Sequence, residues 1–162
     1  MAIQGISTSG LDAVLEKRFQ KRLDVDMEVG TLFGYDATKD KFVKANAIAL
    51  SGDIVEPIGI IVDGSYKKWG KENDLAEGET VPVKSIAEAG TFVTVEKYAV
   101  LEAEVGDYTK ADMADNIRFY AGADGAITKI KPVATGDLQL EVGYLLDPVS
   151  IKLDVTKKGT IV

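Results

Sequence analysis

A repeated run of turn and strand residues constrains this chain more than any other feature. Gly52-Asp53-Ile54, followed by Ile58-Gly59-Ile60-Ile61-Val62-Asp63, reappears at a constant offset as Gly136-Asp137-Leu138, followed by Val142-Gly143-Tyr144-Leu145-Leu146-Asp147. Glycine permits the positive φ of tight turns, and aspartate caps neighbouring N–H groups. A glycine within an apolar strand indicates a bulge or the close approach of another backbone. Eight residues are therefore predicted to be structural turn or bulge positions: Gly52, Asp53, Gly59, Asp63, Gly136, Asp137, Gly143 and Asp147.

Two explanations fit this repetition. One is an internal duplication of a β unit, around residues 29–63 and 117–147, with Phe33 and Phe119 as a further matching pair. The other is convergence of two β-turn-β units on the same turn chemistry, since glycine and aspartate are common in turns. Under either explanation the element is architectural and not catalytic.

The rest of the chain favours short strands. Turn signals recur about every 8–12 residues, a spacing typical of sandwiches and barrels. We predict a mainly-β fold, with a small barrel-like or sandwich-like core of short antiparallel strands over residues 25–162 and a loop insertion at 63–80. The chain of 162 residues is long enough to bury such a core.

The N-terminal residues 1–24 are predicted to form an arm followed by a helix. Ser9 and Asp12 give a helix start signal before a periodic apolar run. That run has the three- and four-residue spacing of one helical stripe: Leu11, Val14, Leu15, Phe19 and Leu23. We expect the helix at about residues 10–23.

The composition argues against an enzyme. The chain contains no histidine and no cysteine, which removes the commonest general base, thiolate nucleophiles and the commonest transition-metal ligands. No phosphate-binding or nucleophile-elbow motif is present. We therefore expect no catalytic residue, no metal site and no cofactor.

The net charge of -7 argues against nucleic-acid binding, which depends on excess Lys and Arg. No apolar run approaches the roughly 20 residues needed to span a bilayer, so no membrane partner is expected. The first residues lack the charged and apolar regions of a signal peptide, and we expect synthesis and assembly in the cytoplasm.

Two segments offer candidate partner contacts. The predicted helix carries Phe19 and four basic residues, Lys17, Arg18, Lys21 and Arg22, whose like-charged i,i+4 pairs would be relieved by an acidic partner. A solvated helix face is the alternative. The loop at 65–71 interleaves Tyr66 and Trp69 with lysines, a composition that suits stacking on sugars or bases, a subunit contact, or an ordinary surface loop.

Several segments together resemble the capsid decoration, or cement, proteins of tailed bacteriophages. The resemblance covers about residues 30–155 in pieces: Val29–Phe33, Gly52-Asp53 with Ile58–Val62, Gly78–Val83, Gly106-Asp107-Tyr108, Asp124–Thr128, Glu141–Leu146 and Ile151–Val155. It implies a virion structural protein on the capsid exterior that binds the major capsid protein, assembles as a homotrimer and braces the shell. A tail-tube or head-tail joining subunit and a carbohydrate-binding β-domain are the alternatives.

Overall fold

The computed structural model describes residues 20–62, 86–102, 106 and 108–162. These residues form a mainly-β fold with a curled half-barrel sheet, so the predicted fold class is confirmed. The strands are β1 (Lys21–Arg22), β2 (Met27–Glu28), β3 (Leu32–Asp36), β4 (Lys41–Lys44), β5 (Gly59–Ile60), β6 (Ile86–Ala87), β7 (Phe92–Val93), β8 (Tyr98–Glu102), β9 (Arg118–Ala121), β10 (Ile127–Thr128), β11 (Leu138–Gln139), β12 (Glu141–Asp147), β13 (Ser150–Asp154) and β14 (Thr160–Ile161). A 3-10 helix spans Ala49–Ser51, and a short helix, α1, spans Lys110–Ala114.

The largest sheet has five antiparallel strands in the order β10-β9-β12-β13-β8. Its strands alternate between a buried and an exposed face, the period expected of a sheet with one face on a core. Residues from this sheet, from β3 and from β11 fill the larger hydrophobic cluster, which includes Leu32, Phe119, Leu140, Val142 and Leu153. Helix α1 precedes β9. Tyr108, which lies just before α1, packs edge-on against Phe119 with ring centroids 5.7 Å apart.

A second sheet, in the order β4-β3-β5, covers a smaller core together with the pairs β1-β7 and β2-β6. That core contains Leu23, Met27, Phe33, Phe42 and Val93, all at most 1% exposed. The rings of Phe33 and Phe42 lie 4.8 Å apart. A third pair of strands, β11-β14, joins the C-terminal strand to the residues just before β12.

The two repeated sequence units adopt the same strand topology. In each unit, the first strand of a hairpin lies between the second strand of that hairpin and a strand that comes later in the chain. The resulting orders are β4-β3-β5 and β10-β9-β12. In each, a buried phenylalanine lies directly opposite the repeated glycine, with Phe33 opposite Gly59 and Phe119 opposite Gly143. The shared topology covers the described residues that match in sequence.

Main-chain hydrogen bonds join the two units. Leu32 N–H donates to the Gly125 carbonyl at 2.9 Å, and Gly125 N–H donates to the Ala45 carbonyl at 2.6 Å. Leu138 N–H donates to the Ala47 carbonyl at 2.8 Å. Each unit therefore completes part of its backbone bonding with the other.

The predicted helix at 10–23 is wrong over the part that the structure describes. Residues 10–19 lie outside the described residues, but residues 20–23 are extended: β1 pairs with β7, and Leu23 forms a bridge with Phe42. Leu23 is fully buried, and its N–H donates to the Thr91 carbonyl at 2.9 Å. Tertiary pairing supplies hydrogen bonds and burial that outweigh a weak local helix preference. β1 thus lies before the predicted boundary at residue 24 between the N-terminal arm and the β-rich domain, yet it pairs with β7 of that domain. The predicted insertion at 63–80 lies outside the described residues.

Candidate interaction surfaces

The predicted contact residues fall into two groups. Lys17, Arg18, Phe19, Tyr66 and Trp69 lie outside the described residues, and their role stays a prediction. Lys21 and Arg22 lie on β1, so the argument from like charges one helical turn apart does not apply to them.

Lys21 is engaged within the molecule. Its Nζ lies 2.7 Å from Oδ1 of Asp40, and the Tyr35 hydroxyl donates to the same oxygen at 2.5 Å. The hydrogen bond from Lys21, then that from Tyr35, lowers the pKa of Asp40 below its usual value. The Asp40 hydrogen bond also raises the pKa of Lys21. This basic side chain is therefore neutralised by its own chain.

Arg22 is likewise occupied. Its Nη1 donates to the Gly90 carbonyl at 2.7 Å, and its guanidinium lies 4.2 Å from the centroid of the Phe92 ring. Such a stacked guanidinium stabilises β1 against β7 by packing as well as by charge. The structure thus gives both described basic candidates an intramolecular role.

The repeated glycines occupy the predicted turn and bulge positions. Gly52 and Gly136 have φ of 130° and 94°, a region that favours glycine. Gly143 sits at a register irregularity between β12 and β9, and a Cβ there would collide with the Lys152 carbonyl oxygen. A Cβ on Gly59 would come within 2.5 Å of the Phe33 ring. Both strand glycines therefore permit the close approach that the sequence predicts.

The repeated aspartates differ in their environments. Asp53 is exposed, and Asp147 accepts a hydrogen bond from Val149 N–H at 2.9 Å in the β12–β13 turn. Asp137 is only 3% exposed. Asp63 lies outside the described residues.

Asp137 anchors three separate segments of the chain. Its carboxylate accepts from Ala49 N–H at 2.9 Å and from Ala134 N–H at 3.2 Å. Its carbonyl accepts from Val162 N–H at 2.9 Å, and the neighbouring Gly136 N–H donates to the Val162 carbonyl at 2.9 Å. A buried carboxylate is stabilised when main-chain donors satisfy it. The sequence indicated a turn here but gave no signal of this anchoring.

Exposed apolar residues occur in each of the segments that hydrogen-bond to Asp137. Each lies at or beside a residue that hydrogen-bonds to Asp137, and together we call them the Asp137 surface: Leu50 (90% exposed), Val133 (70%), Ile161 (56%) and Val162 (44%). Sequence reasoning missed this surface because its members come from the 3-10 helix, the loop before β11 and the region of β14. Only the fold brings them together.

Two lysines lie close to these segments along the chain. Lys131 precedes Pro132, whose carbonyl accepts from the Gln139 side chain at 2.8 Å, and Lys158 lies just before β14. Within the described part of the chain, neither lysine forms an ion pair, whereas Lys157 bonds Glu141 at 3.0 Å. Apolar groups rimmed by free charge are typical of protein-binding surfaces.

The described residues contain no group of three or more His, Cys, Asp or Glu side chains placed to hold a metal ion. Over the same residues, no helix has the length and apolar character to cross a membrane. Comparison with known proteins finds no matching family model, no matching curated protein and no matching solved structure.

Proposed function

We propose that this chain is a virion structural protein that binds the outer surface of a phage capsid and stabilises the shell. The observation that carries the proposal is the Asp137 surface: exposed apolar side chains on three segments that hydrogen-bond to the side chain or main chain of the buried Asp137. The resemblance of residues 30–155 to capsid decoration proteins supplies the class of partner, the major capsid protein.

The fixed arrangement of this surface suits docking. A surface already held in its binding conformation loses little conformational entropy on association. Contact with neighbouring capsid subunits would bury apolar area, and separating those subunits would then expose it again. A ligand that binds only the assembled state stabilises that state by mass action. Decoration therefore raises the temperature at which the shell comes apart, and a homotrimer would repeat the contact at three-fold positions.

The test uses undecorated capsids of the phage that encodes the chain. We expect the purified protein to co-sediment with them and to raise their disruption temperature. Because Leu50 and Val133 are exposed, the Leu50→Asn/Val133→Asn variant should keep its fold. It should bind about tenfold more weakly, the loss expected when apolar anchors are removed.

A matched control lies at the far end of β12. Val149 is 40% exposed in the β12–β13 turn, and Val149→Asn should bind like the wild-type protein. Failure of the wild-type protein to bind capsids would reject the proposed function. Equal binding by the Leu50→Asn/Val133→Asn variant would reject the Asp137 surface as the docking face.

A further inference from the structure

Strand β8 is the outermost strand of the five-stranded sheet and pairs on one side with β13. Val155 N–H donates to the Lys97 carbonyl at 3.0 Å. This bond determines which alternate residues of β8 bond to β13. Lys97, Ala99 and Leu101 direct their main-chain groups towards β13. Tyr98, Val100 and Glu102 therefore direct their N–H and C=O groups away from the sheet.

The neighbouring residue Glu96 shows what this outer edge can do. It has the same orientation as Tyr98, and its carbonyl accepts from Ile60 N–H at 2.8 Å. Beyond Glu96, the structure gives the outward main-chain groups of Tyr98, Val100 and Glu102 no partner among the described residues. Among the described residues, β5 therefore bonds to the segment just before β8, and no strand pairs with the outer edge of β8 itself.

The open edge lacks the devices that usually protect such strands. Edge strands are commonly shielded by lysine, proline or a bulge. Residues 98–102 contain no lysine and no proline, and their pairing with β13 is regular. Tyr98 and Val100 are each 62% exposed.

A groove runs beside this edge. It has a volume of about 490 Å³ and is lined by four apolar residues and one carboxylate: Val29, Val62, Val100, Leu101 and Glu102. No described residue forms an ion pair with Glu102. The groove is separate from the Asp137 surface, since none of its lining residues belongs to that surface.

We propose that the open edge of β8 binds an extended segment of a partner protein by strand addition. The segment's main chain pairs with Tyr98, Val100 and Glu102, an apolar side chain enters the groove, and a basic side chain meets Glu102. In this mode main-chain hydrogen bonds supply affinity and the adjoining pocket supplies selectivity. Two features favour a basic segment over an acidic one: Glu102 forms no ion pair with any described residue, and the net charge of the chain is -7.

The test uses the full-length chain and a blocked synthetic peptide, Lys-Thr-Val-Thr-Val-Thr-Val-Lys. Amide hydrogen exchange, followed by NMR, should show new protection at Val100 and Glu102 on adding the peptide. Ala99 and Leu101 should already be protected by β13. The same peptide with alternate amides N-methylated should not bind, because it cannot complete the ladder.

Val100→Pro is the decisive variant. It removes an outward N–H without removing a bond to β13, so the sheet should persist. We expect its affinity for the peptide to fall by about tenfold or more. Val100→Thr keeps the N–H and a branched side chain and should bind like the wild-type protein.

Other outcomes reject the inference. Absence of binding by the wild-type chain, or equal binding by the Val100→Pro variant, would overturn it. Val100 and Glu102 amides that are protected before peptide is added would also overturn it, because the chain or a second copy already covers the edge. Light scattering separates these two cases, since a second copy doubles the mass. None of these outcomes bears on capsid binding through the Asp137 surface.

Discussion

Asp53 and Asp137 occupy the same position in the two repeated units, yet the fold uses them differently. Asp53 is exposed to solvent, as is the turn glycine before it, whereas Asp137 is buried and accepts hydrogen bonds from two main-chain N–H groups. Hydrogen bonds to a charged acceptor contribute more than neutral ones, and unsatisfied buried donors are costly. The stability of the second unit therefore depends on a carboxylate that the first unit does not need.

Replacing Asp137 with alanine should lower the free energy of unfolding by about 3 kcal/mol, because two part-buried hydrogen bonds from main-chain N–H groups lose their acceptor. Urea denaturation measures the change. Asp53→Ala is the matched substitution at the exposed position, and it should shift the free energy by less than about 0.5 kcal/mol. Equal effects of the two substitutions would contradict the anchoring role of Asp137.

The acid dependence of stability should come in part from Asp24 and Asp40. Hydrogen bonds from Lys39, then from Lys41, lower the pKa of Asp24, and Lys21 and Tyr35 lower that of Asp40, both from a usual value of 3.8. A carboxyl whose pKa is lower in the folded state stabilises the fold above the unfolded value. That contribution is lost as the pH falls below 3.8 towards the folded value.

Urea midpoints measured between pH 7 and pH 2 test this expectation. Asp24→Asn and Asp40→Asn should each flatten the decline below about pH 4, because the group that binds the extra proton on unfolding has been removed. The effect should be small, since these ion pairs face solvent. An unaltered acid branch in both Asp variants would exclude these pairs as its source.

At the scale of elements, the two phenylalanine–glycine pairs explain why the strands pack closely. Gly59 lies under the Phe33 ring, so a side chain at residue 59 would collide with that ring. A smaller residue at position 33 would relieve the collision. Gly143 faces the Lys152 carbonyl, which is main chain and cannot be shortened. Glycine is therefore needed at these two equivalent positions for two different physical reasons.

A double-mutant cycle distinguishes these causes. Gly59→Ala should cost about 1–3 kcal/mol from overpacking, and Phe33→Leu in the same chain should recover part of that cost. Gly143→Ala should cost at least as much, and Phe119→Leu should recover none of it. Thermal unfolding of the four single and two double variants gives the two coupling energies. Equal couplings would show that both glycines respond to the facing ring.

The sequence correctly predicted those elements that depend on residues close together in the chain. The turns at Gly52 and Gly136 follow from the conformational freedom of glycine, and the bulge at Gly143 follows from a glycine within an apolar strand. The helix prediction failed at residues 20–23 because β1 is fixed by β7, about 70 residues away. The Asp137 surface was out of reach for the same reason, since its residues meet only through long-range pairing.

At the scale of the whole molecule, the two units cannot complete their hydrogen bonding separately. Gly125, in the turn of the second hairpin, bonds both Leu32 and Ala45 of the first unit, and Leu138 bonds Ala47. The larger core also draws residues from both units, including Leu32, Ile60, Phe119 and Val142. Opening either unit alone would expose main-chain groups and apolar surface of the other.

The described part of the chain should therefore unfold as one cooperative body. Amide hydrogen exchange should give Leu32, Gly125 and Leu138 the same free energy of opening, equal to that from urea denaturation. Fraying at the short β14 pair should appear as lower values confined to the strand end. Two distinct plateaus, one for each repeated unit, would contradict this coupling.

The position of β14 has a practical consequence for anyone who labels the protein. A tag or displayed peptide attached at Val162 would begin where Val162 bonds the main chain of Gly136 and Asp137, and so within the Asp137 surface. The β12–β13 turn at residues 147–149 lies at the other end of β12, a strand that spans roughly 20 Å. An insertion in that turn would carry its cargo away from the Asp137 surface, which makes it the better site for a display platform.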